Sequence, residues 1–263
     1  MIKKLIVLDL DGTTLKQDKS MSEYTIDTLL ETKKEGNQII FATARPPRDA
    51  YKYIPIQLKD APIICYNGAC FISSQELKVI YKSEISRKDV LKIIDIVESN
   101  GYINISIEVN DKLYSNFDTK AFFGNCENTI VDLKKMDYDS AYKIIICSKK
   151  AIDEEILESL PLTVKGMITD KKTLCQIINS NASKWTAIKY LASMFNINSN
   201  NIVAFGDDIN DYEMIEKAGI GIAMGNADER IKKIARFIVD TNENDGVAKY
   251  LENKILQKGE IQL

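Results

Sequence analysis

The opening stretch of the chain limits the fold more than any other part of the sequence. Leu5 to Leu8 is a continuous apolar run, and it leads directly into Asp9-Leu10-Asp11-Gly12-Thr13. Such a run is typical of a strand in a parallel sheet that is covered on both faces. In doubly wound sheets, active sites form at the carboxyl ends of the strands. The opening therefore predicts a parallel sheet with acids at its functional edge.

The next segments alternate between strand and helix patterns. Residues 22–35 predict a helix with Ser22 as its cap, and Gln38 to Ala42 predict a second strand. Pro62 to Tyr66 predict a third strand, and Asn67-Gly68 after it is a tight-turn signal that we interpret as a hairpin turn rather than a ligand site. This order predicts an α/β fold with a doubly wound, Rossmann-like parallel sheet.

Residues 83–180 depart from this alternation and predict a second domain. Their patterns indicate a helix near 86–99, paired strands near 103–115, a strand near 142–148, a helix near 151–160 and further strands. The alternation then resumes with a helix from about Ala182, a strand at Ile202 to Phe205, a helix after Asn210 and a short strand at Ile220 to Ala223. We expect an α+β domain at 83–180, inserted into a core of residues 1–82 and 181–263.

Composition argues against several classes of partner. The 35 basic and 38 acidic residues leave a net charge of -3, so no overall field attracts nucleic acid or an anionic membrane. The first apolar run is too short for a signal peptide or a membrane span. The five cysteines form no CxxC pair and lie mostly in apolar runs. We expect a reduced, cytoplasmic protein, either a monomer or a weak homodimer, that binds neither nucleic acid nor membrane.

The chain contains no histidine. This excludes Ser-His-Asp triads, Cys-His dyads, phosphohistidine chemistry and histidine-ligated zinc. Catalysis would have to use carboxylates, lysines, hydroxyls or a metal ion.

Two clusters of acids follow predicted strands. Asp9 and Asp11 are two residues apart and project to the same side if the strand geometry persists. At 4 Å and an effective dielectric near 20 they would repel by about 4 kcal/mol, which favours a bound cation or a raised pKa. A second cluster, at 206–211, reads Gly-Asp-Asp-Ile-Asn-Asp. A hard divalent ion between the two clusters would suit phosphoryl transfer.

Four motifs of the chain resemble those of the haloacid dehalogenase superfamily, in the same order. They are DLDGT at 9–13, Thr43 at a strand end, Lys184 opening a helix, and GDDIND at 206–211. Residues 218–227 and 244–247 resemble the Cof-type members, the sugar-phosphatase-like subfamily IIB, in particular. The resemblance covers the whole core and leaves the inserted segment without a recognisable motif.

The resemblance implies a role for each matching residue. Asp9 would attack phosphorus to form an aspartyl phosphate. Asp11 would protonate the leaving alcohol and then activate water. Thr43 would hydrogen-bond the phosphoryl oxygens, and Lys184 would pair with both the phosphate and Asp9. Asn210 would also contact the substrate.

The resemblance further implies Mg²⁺ as the cofactor and a cap domain as the inserted segment. The ion would be held by the Asp9 carboxylate, the Asp11 backbone carbonyl and Asp207, with Asn210 and Asp211 supporting them. About 140 residues separate Thr43 from Lys184. In this superfamily that spacing resembles the type with a large C2-type cap domain, which closes over the site and chooses the substrate.

Three positions near these motifs need separate interpretation. Ala44 and Trp185 stand where the superfamily commonly has glycine. We expect Ala44 to affect only backbone freedom and Trp185 to pack into the core. Arg45 could approach the substrate or lie exposed before Pro46, and we leave it out of the predicted site.

The leading hypothesis is a cytoplasmic phosphatase for small phosphate monoesters, such as a sugar phosphate, a nucleotide or a phosphorylated cofactor. A phosphomutase or phosphotransferase would use the same aspartyl phosphate but transfer the group to a hydroxyl. A non-catalytic, phosphate-binding regulatory protein is the alternative from another class, and the intact acids and lysine argue against it.

Overall fold

A computed structural model describes residues 3–73, 78–124, 126–169 and 171–256 of the chain. The chain forms two compact units: Met1–Tyr81 with Ser183–Leu263, which we call the core unit, and Lys82–Ala182, which we call the inserted unit. No helix within the described ranges is both long and apolar enough to cross a membrane. That the inserted segment acts as a cap domain stays a prediction.

The helices and strands follow one another along the chain in three parts. The first part of the chain contains β1 (Leu5–Asp9), α1 (Glu23–Lys34), β2 (Gln38–Ala42), α2 (Pro47–Tyr53), β3 (Ile63–Cys65), β4 (Cys70–Ile72) and β5 (Val79–Lys82). The middle part contains β6 (Ile85–Ser86), α3 (Arg87–Ser99), β7 (Asn104–Val109), β8 (Lys112–Ser115), α4 (Lys120–Phe123), β9 (Thr129–Ile130), β10 (Ser140–Ala141), β11 (Lys143–Cys147), α5 (Glu155–Glu158), β12 (Val164–Thr169) and β13 (Leu174–Asn179). The last part contains α6 (Lys184–Met194), β14 (Ile202–Gly206), α7 (Tyr212–Lys217), β15 (Ile220–Ala223), α8 (Glu229–Ile234), β16 (Phe237–Ile238) and α9 (Gly246–Tyr250), followed by a π-helical turn at Leu251–Ile255.

Eight strands form the sheet of the core unit, in the order β16-β15-β14-β1-β2-β3-β4-β5. The neighbours from β16 to β3 are parallel, and β4 pairs antiparallel with β3. The chain order runs outward from β1 in both directions, which makes the space between β1 and β14 the topological switch point. The predicted doubly wound α/β fold is therefore confirmed.

Burial explains why β1 lies at the centre of this sheet. Leu5, Ile6, Val7 and Leu8 have no exposed surface, so both faces of the strand are covered. The helices form two groups, in which α1 contacts α9 while α6 and α8 contact α7. The continuous apolar run is the sequence pattern that such two-sided cover requires.

The inserted unit has its own hydrophobic core. Its six-stranded sheet has the order β12-β13-β11-β7-β8-β9 and is antiparallel except between β8 and β9. One face packs against α3. Residues of this core on α3, β7 and β11 are Val90, Ile93, Ile94, Val97, Ile105, Ile107, Val109, Ile144 and Ile146. The alternate residues Ser106, Glu108 and Lys143 are also buried, so both faces of these strands exclude water.

Most predicted elements occur in the structure, but one predicted helix is shorter than expected, and the short helices α2, α4, α8 and α9 were not predicted. The helix expected near 151–160 is the single turn α5, because the Ile152 amide donates to the Lys172 carbonyl (2.7 Å) and is thereby held in a non-helical contact. The helix α2, which was not predicted, begins with Pro47. A proline is tolerated at this first position because the helix does not use the backbone N–H that proline lacks. Asn67-Gly68 connects the antiparallel strands β3 and β4, so the predicted hairpin turn is present.

Gly68 provides a test of how the hairpin supports α6. Its φ is +94°, and a Cβ added there would lie 2.0 Å from the Ser183 carbonyl oxygen, directly before α6. We expect Gly68→Ala to lower the free energy of unfolding by at least about 2 kcal/mol more than Gly101→Ala. Gly101 has a similar φ of +80° but nothing within 4 Å of the added carbon. Urea denaturation of both variants measures the difference, and equal losses would contradict a steric role for Gly68.

Candidate active site

The register of the parallel strands brings the predicted site residues to one edge of the sheet. Asp9 ends β1 opposite Ala42, and Leu8 lies opposite Phe205 on β14. Thr43 and Asp207 therefore follow their strands at nearly the same height as Asp9. A cavity of about 350 Å³ opens there, large enough for a small ligand. It is lined by Asp9, Asp11, Gly12, Thr43, Ala44, Asp207, Asp208 and Asn210.

A buried lysine joins Asp9 to a further acid, Asp211. Lys184 is 1% exposed and is the first residue of α6, where the Ser183 hydroxyl caps the helix by accepting from the Thr186 amide. Its Nζ donates to Asp9 Oδ1 at 2.5 Å and to Asp211 Oδ1 at 2.6 Å. The ammonium thus holds the Asp9 carboxylate from behind the cavity.

Asp211 fixes the loop after β14. It is fully buried, and its Oδ2 accepts from the backbone amides of Asp207 (3.0 Å) and Asp208 (3.2 Å). With Lys184 on Oδ1, both oxygens of Asp211 are engaged by protein groups. This arrangement fits the supporting role that the sequence implied.

Thr13 and Thr43 complete the polar lining of the strand ends. The Thr13 hydroxyl donates to Asp207 Oδ1 at 2.7 Å, a contact that the sequence analysis did not identify. The Thr43 hydroxyl accepts from the Arg45 backbone amide at 3.1 Å, which leaves its own proton to be donated elsewhere. Thr43 is therefore oriented as a donor near Asp9.

Asp11 lies in an ion-pair cluster of its own. Arg45 donates to both of its oxygens, from Nε at 2.6 Å and from Nη2 at 2.7 Å, and Lys19 Nζ lies 2.7 Å from Oδ1. Arg45 is held in turn by Asp49 and by the ring of Tyr53, whose centroid lies 4.4 Å from the guanidinium carbon. Arg45, which the sequence analysis left out of the predicted site, thus contacts a predicted site residue.

The surroundings of Asp11 lower its pKa, whereas those of Asp9 and Asp207 raise theirs. Burial raises the pKa of Asp11, but hydrogen bonds from Arg45 and Lys19 outweigh it and lower the pKa to about 2. Burial, reinforced by the charge of Asp211, raises the pKa of Asp207 to about 7. Burial and the neighbouring carboxylates likewise raise the pKa of Asp9, although Lys184 opposes them. Asp11 is therefore ionised at neutral pH, while the group around Asp9 carries more acids than Lys184 can neutralise.

The excess of acids indicates that the site can hold a divalent cation. Carboxylate oxygens of Asp9, Asp207 and Asp211 lie within 4.8 Å of one another, and three carboxylates face a single lysine. Ions such as Mg²⁺ prefer oxygen ligands of this kind. Because the oxygens of Asp211 already bind Lys184 and two amides, Asp9 and Asp207 are the better placed ligands.

The loop between β3 and β4 contributes Asn67, which contacts a residue of the cavity. The Asn210 side chain donates from Nδ2 to Asn67 Oδ1 at 3.1 Å, so part of the predicted hairpin turn also reaches the site. Across the described parts of the chain, Asn210 Oδ1 is buried and has no hydrogen-bond partner. Sequence reasoning missed Asn67, although Asn-Gly after a strand end was the available signal.

The structure thus brings all seven predicted site residues to one sheet edge, and Thr13, Arg45 and Asn67 contact them. Asp11 lies beside a group formed by the other six, which are Asp9, Thr43, Lys184, Asp207, Asn210 and Asp211. Trp185 is 4% exposed and packs into the core, as expected. The chemical roles of these residues stay predictions.

Comparison with known proteins gives a consistent result. A family model described as haloacid dehalogenase-like hydrolase matches residues 6–251. The chain is 33% identical over 260 residues to 5-amino-6-(5-phospho-D-ribitylamino)uracil phosphatase YitU of Bacillus subtilis, covering 94% of this chain and 96% of the relative. Among solved structures, the phosphatase BT1666 from Bacteroides thetaiotaomicron has a TM-score of 0.83 and 26% identity over 96% of this chain and 95% of its own. The subclass IIB sugar phosphatase BT4131 has a TM-score of 0.77 and 25% identity over 95% of this chain and 98% of its own.

The raised pKa of Asp207 predicts how stability depends on pH. Between the usual pKa of 3.8 and the folded value of about 7, the folded protein binds more protons at this carboxyl than the unfolded chain. The free energy of unfolding of the metal-free protein should therefore fall as pH rises through this window. Urea denaturation in a chelating buffer measures the slope, which should be shallower in Asp207→Asn.

Asp208→Asn is the matched control, since Asp208 is the exposed neighbour of Asp207. Asparagine can keep its capping contact with the Ile209 amide, and the charge of Asp208 adds less to the pKa of Asp207 than burial and Asp211 do, so this variant should retain most of the wild-type slope. Identical slopes in Asp207→Asn and wild type would contradict the burial of charge at Asp207.

Proposed function

The chain belongs to the haloacid dehalogenase-like hydrolase family, and from this we propose that it is a Mg²⁺-dependent phosphatase that hydrolyses small phosphate monoesters through an aspartyl phosphate. The observation that carries the proposal is the buried Asp9 carboxylate at the end of β1, held by Lys184 and surrounded by further acids. The names of two relatives, a phosphoribityl compound phosphatase and a sugar phosphatase, support phosphate esters of hydroxylated carbon chains as the substrate class.

Asp9 is the proposed nucleophile. Lys184 binds its Oδ1 at 2.5 Å, which leaves Oδ2 to attack phosphorus. The bond from phosphorus to the leaving oxygen breaks as the bond to Asp9 forms, and water later releases inorganic phosphate from the aspartyl phosphate. The same lysine offsets negative charge on both the carboxylate and the transferring group.

Thr43 and Asn210 are the proposed contacts to the phosphoryl group and its surroundings. The Thr43 hydroxyl accepts from a backbone amide, so it can donate its proton to a phosphoryl oxygen. Both residues line the cavity with Asp9. Their hydrogen bonds would orient phosphorus for in-line attack.

Asp11 is the proposed acid and base. As a carboxylate beside Arg45 it can accept a proton from the water that attacks the aspartyl phosphate. In the first step it would donate a proton to the leaving alcohol. Burial raises the pKa of Asp11, but its contacts with Arg45 and Lys19 outweigh burial and lower the pKa. The lowered pKa disfavours the protonated form that donation requires. Its surroundings therefore favour the second step, in which Asp11 accepts a proton, over the first step, in which it donates one.

Asp9, Asp207 and the backbone carbonyl of Asp11 would hold Mg²⁺. When bound, the ion would reduce the repulsion between the nucleophilic carboxylate and the phosphate dianion and polarise the phosphoryl oxygens. Thr13 keeps the Asp207 carboxylate oriented through its 2.7 Å hydrogen bond.

The first test is the substitution Asp9→Asn. We expect wild-type protein to release inorganic phosphate from sugar phosphates and related esters only when Mg²⁺ is present, and Asp9→Asn to lower kcat by at least about a thousandfold. Asp60→Asn, an exposed aspartate paired with Lys33, is the control and should keep wild-type activity.

The products distinguish the proposal from its alternatives. Equal amounts of alcohol and inorganic phosphate identify water as the acceptor. Less phosphate than alcohol would indicate transfer to a hydroxyl. Tight binding of phosphate and Mg²⁺ without turnover of any ester would indicate a binding protein, and full activity in Asp9→Asn would rule out the covalent mechanism.

The second test concerns the two steps assigned to Asp11. With p-nitrophenyl phosphate, whose leaving group needs no proton, Asp11→Asn should give a burst of p-nitrophenol followed by slow turnover as aspartyl phosphate accumulates. With an alkyl phosphate the same variant should lose about 100-fold to 10,000-fold in rate without a burst. Rapid-quench kinetics separates the two cases, and a burst with both substrates would show that Asp11 acts only as the base.

A further inference from the structure

Two segments near the end of the chain, residues 218–227 and 244–247, have no part in the proposed mechanism. In the structure both contact the segment between β1 and α1. Asn226 donates from Nδ2 to the Gly12 carbonyl at 2.8 Å, and the Ser22 hydroxyl donates to Asp245 Oδ1 at 2.6 Å. The end of the chain therefore holds the loop that carries Asp11.

The orientation of the Asn226 amide follows from the chemistry of its two partners. Its Nδ2 faces the Gly12 carbonyl, which can only accept, and its Oδ1 accepts at 3.1 Å from the Asn242 backbone amide, which can only donate. Rotating the side-chain amide by half a turn would bring two acceptors together on one side and two donors together on the other. The backbone on either side therefore fixes Asn226 as the donor to Gly12.

Gly12 is a position that needs a restraint from outside the loop. Its φ is +75°, and a Cβ added there would lie 2.2 Å from Asp207 Oδ2, so no side chain fits between this loop and the carboxylate. Glycine is also the residue with the greatest backbone freedom. The close approach to Asp207 thus requires the residue that restrains the loop least, and the hydrogen bond from Asn226 supplies the restraint.

The loop that contains Asn226 also holds Asp207. The Asp228 amide donates to the Asp207 carbonyl at 2.8 Å, and Asp207 Oδ1 accepts from the Thr13 hydroxyl at 2.7 Å. Because a peptide unit is planar, fixing the Gly12 carbonyl also fixes the backbone nitrogen of Thr13. The contacts therefore close a ring, which runs from Asn226 through Gly12 and Thr13 to Asp207 and returns through Asp228.

We propose that Asn226 is a positioning residue for the metal site. By holding the Gly12 carbonyl it keeps the Thr13 hydroxyl on Asp207, and the Asp207 carboxylate is thereby kept in one orientation for a divalent cation. Residues that orient a metal ligand strengthen binding of the ion without touching it. This inference rests on the proposed function and deepens its metal site.

The substitution Asn226→Ala removes the restraint on Gly12 at little risk to the fold, since the Asn226 side chain is exposed. Mn²⁺ serves as the probe, because it shares the preference of Mg²⁺ for oxygen ligands. We expect the substrate-free variant to bind Mn²⁺ about fivefold more weakly than wild type, which corresponds to the loss of one hydrogen bond. The electron paramagnetic resonance signal of the free ion measures the dissociation constant without any need for catalysis.

Asn244→Ala is the matched control. Asn244 is another exposed asparagine, and its Nδ2 donates at 3.0 Å to its near neighbour Asp240. This variant should bind Mn²⁺ as tightly as wild type, and thermal unfolding in EDTA should show that both variants are folded. A lower melting temperature of Asn226→Ala with unchanged Mn²⁺ affinity would mean that the contact only stabilises the fold. That result, or equal losses of affinity in the two variants, would overturn the proposal.

A double-mutant cycle with Thr13→Val tests whether Asn226 acts through Thr13. Valine keeps the shape of the side chain but removes the hydroxyl that binds Asp207, so this variant alone should bind Mn²⁺ about 10-fold more weakly. Adding Asn226→Ala to it should cause no further loss. An undiminished fivefold loss in the Thr13→Val background would show that Asn226 acts by another route, and the proposal would be wrong.

The phosphatase proposal fails separately from this one. If no ester is hydrolysed but the Mn²⁺ dissociation constants follow the expected order, the positioning role of Asn226 stands. If wild type binds no Mn²⁺, the positioning role is refuted whatever the phosphatase assay shows.

Discussion

The site depends on one buried ammonium group shared between two carboxylates. Lys184 is 1% exposed and lies 2.5 Å from Asp9 and 2.6 Å from Asp211. Removing one partner from a buried ion pair typically costs about 3–5 kcal/mol, because the remaining charge is left uncompensated. Asp211 in turn binds the amides that follow β14. The lysine therefore links the ends of β1 and β14 with the start of α6, and the remaining groups of the site are arranged around that junction.

Around this junction the site separates into two zones of different charge. On one side, Asp9 and Asp207 form a group with surplus negative charge, which suits a cation. On the other, Asp11 is paired with Arg45 and Lys19, so its charge is already compensated. In the proposed mechanism Asp9 binds metal and attacks phosphorus while Asp11 exchanges protons, and the two zones give these carboxylates different surroundings within one sheet edge.

The strand-end acids and most of the core could be predicted from the sequence because their signals are local. Apolar runs ending in Asp9 and Asp207 show both the buried strands and the position of the site. Arg45 and Asn67 could not be identified in the same way, since their roles depend on where the chain goes afterwards. Arg45 turns back to Asp11 because α2 supplies Asp49 and Tyr53 to hold it. Asn67 does form the turn that its sequence suggests, but burial of that turn was not visible in the pattern.

The position of β1 has a consequence for synthesis of the chain. In the finished sheet β1 lies between β2 and β14, but β14 begins at Ile202, almost 200 residues after β1 begins at Leu5. On a ribosome adding about 5–20 residues per second, β14 follows β1 by on the order of 10–40 s. During that interval β1, whose first four residues are apolar, has an open edge that is able to pair with another nascent chain. The inserted segment lengthens this interval, so it prolongs an exposure to mispairing that is absent once the protein has folded.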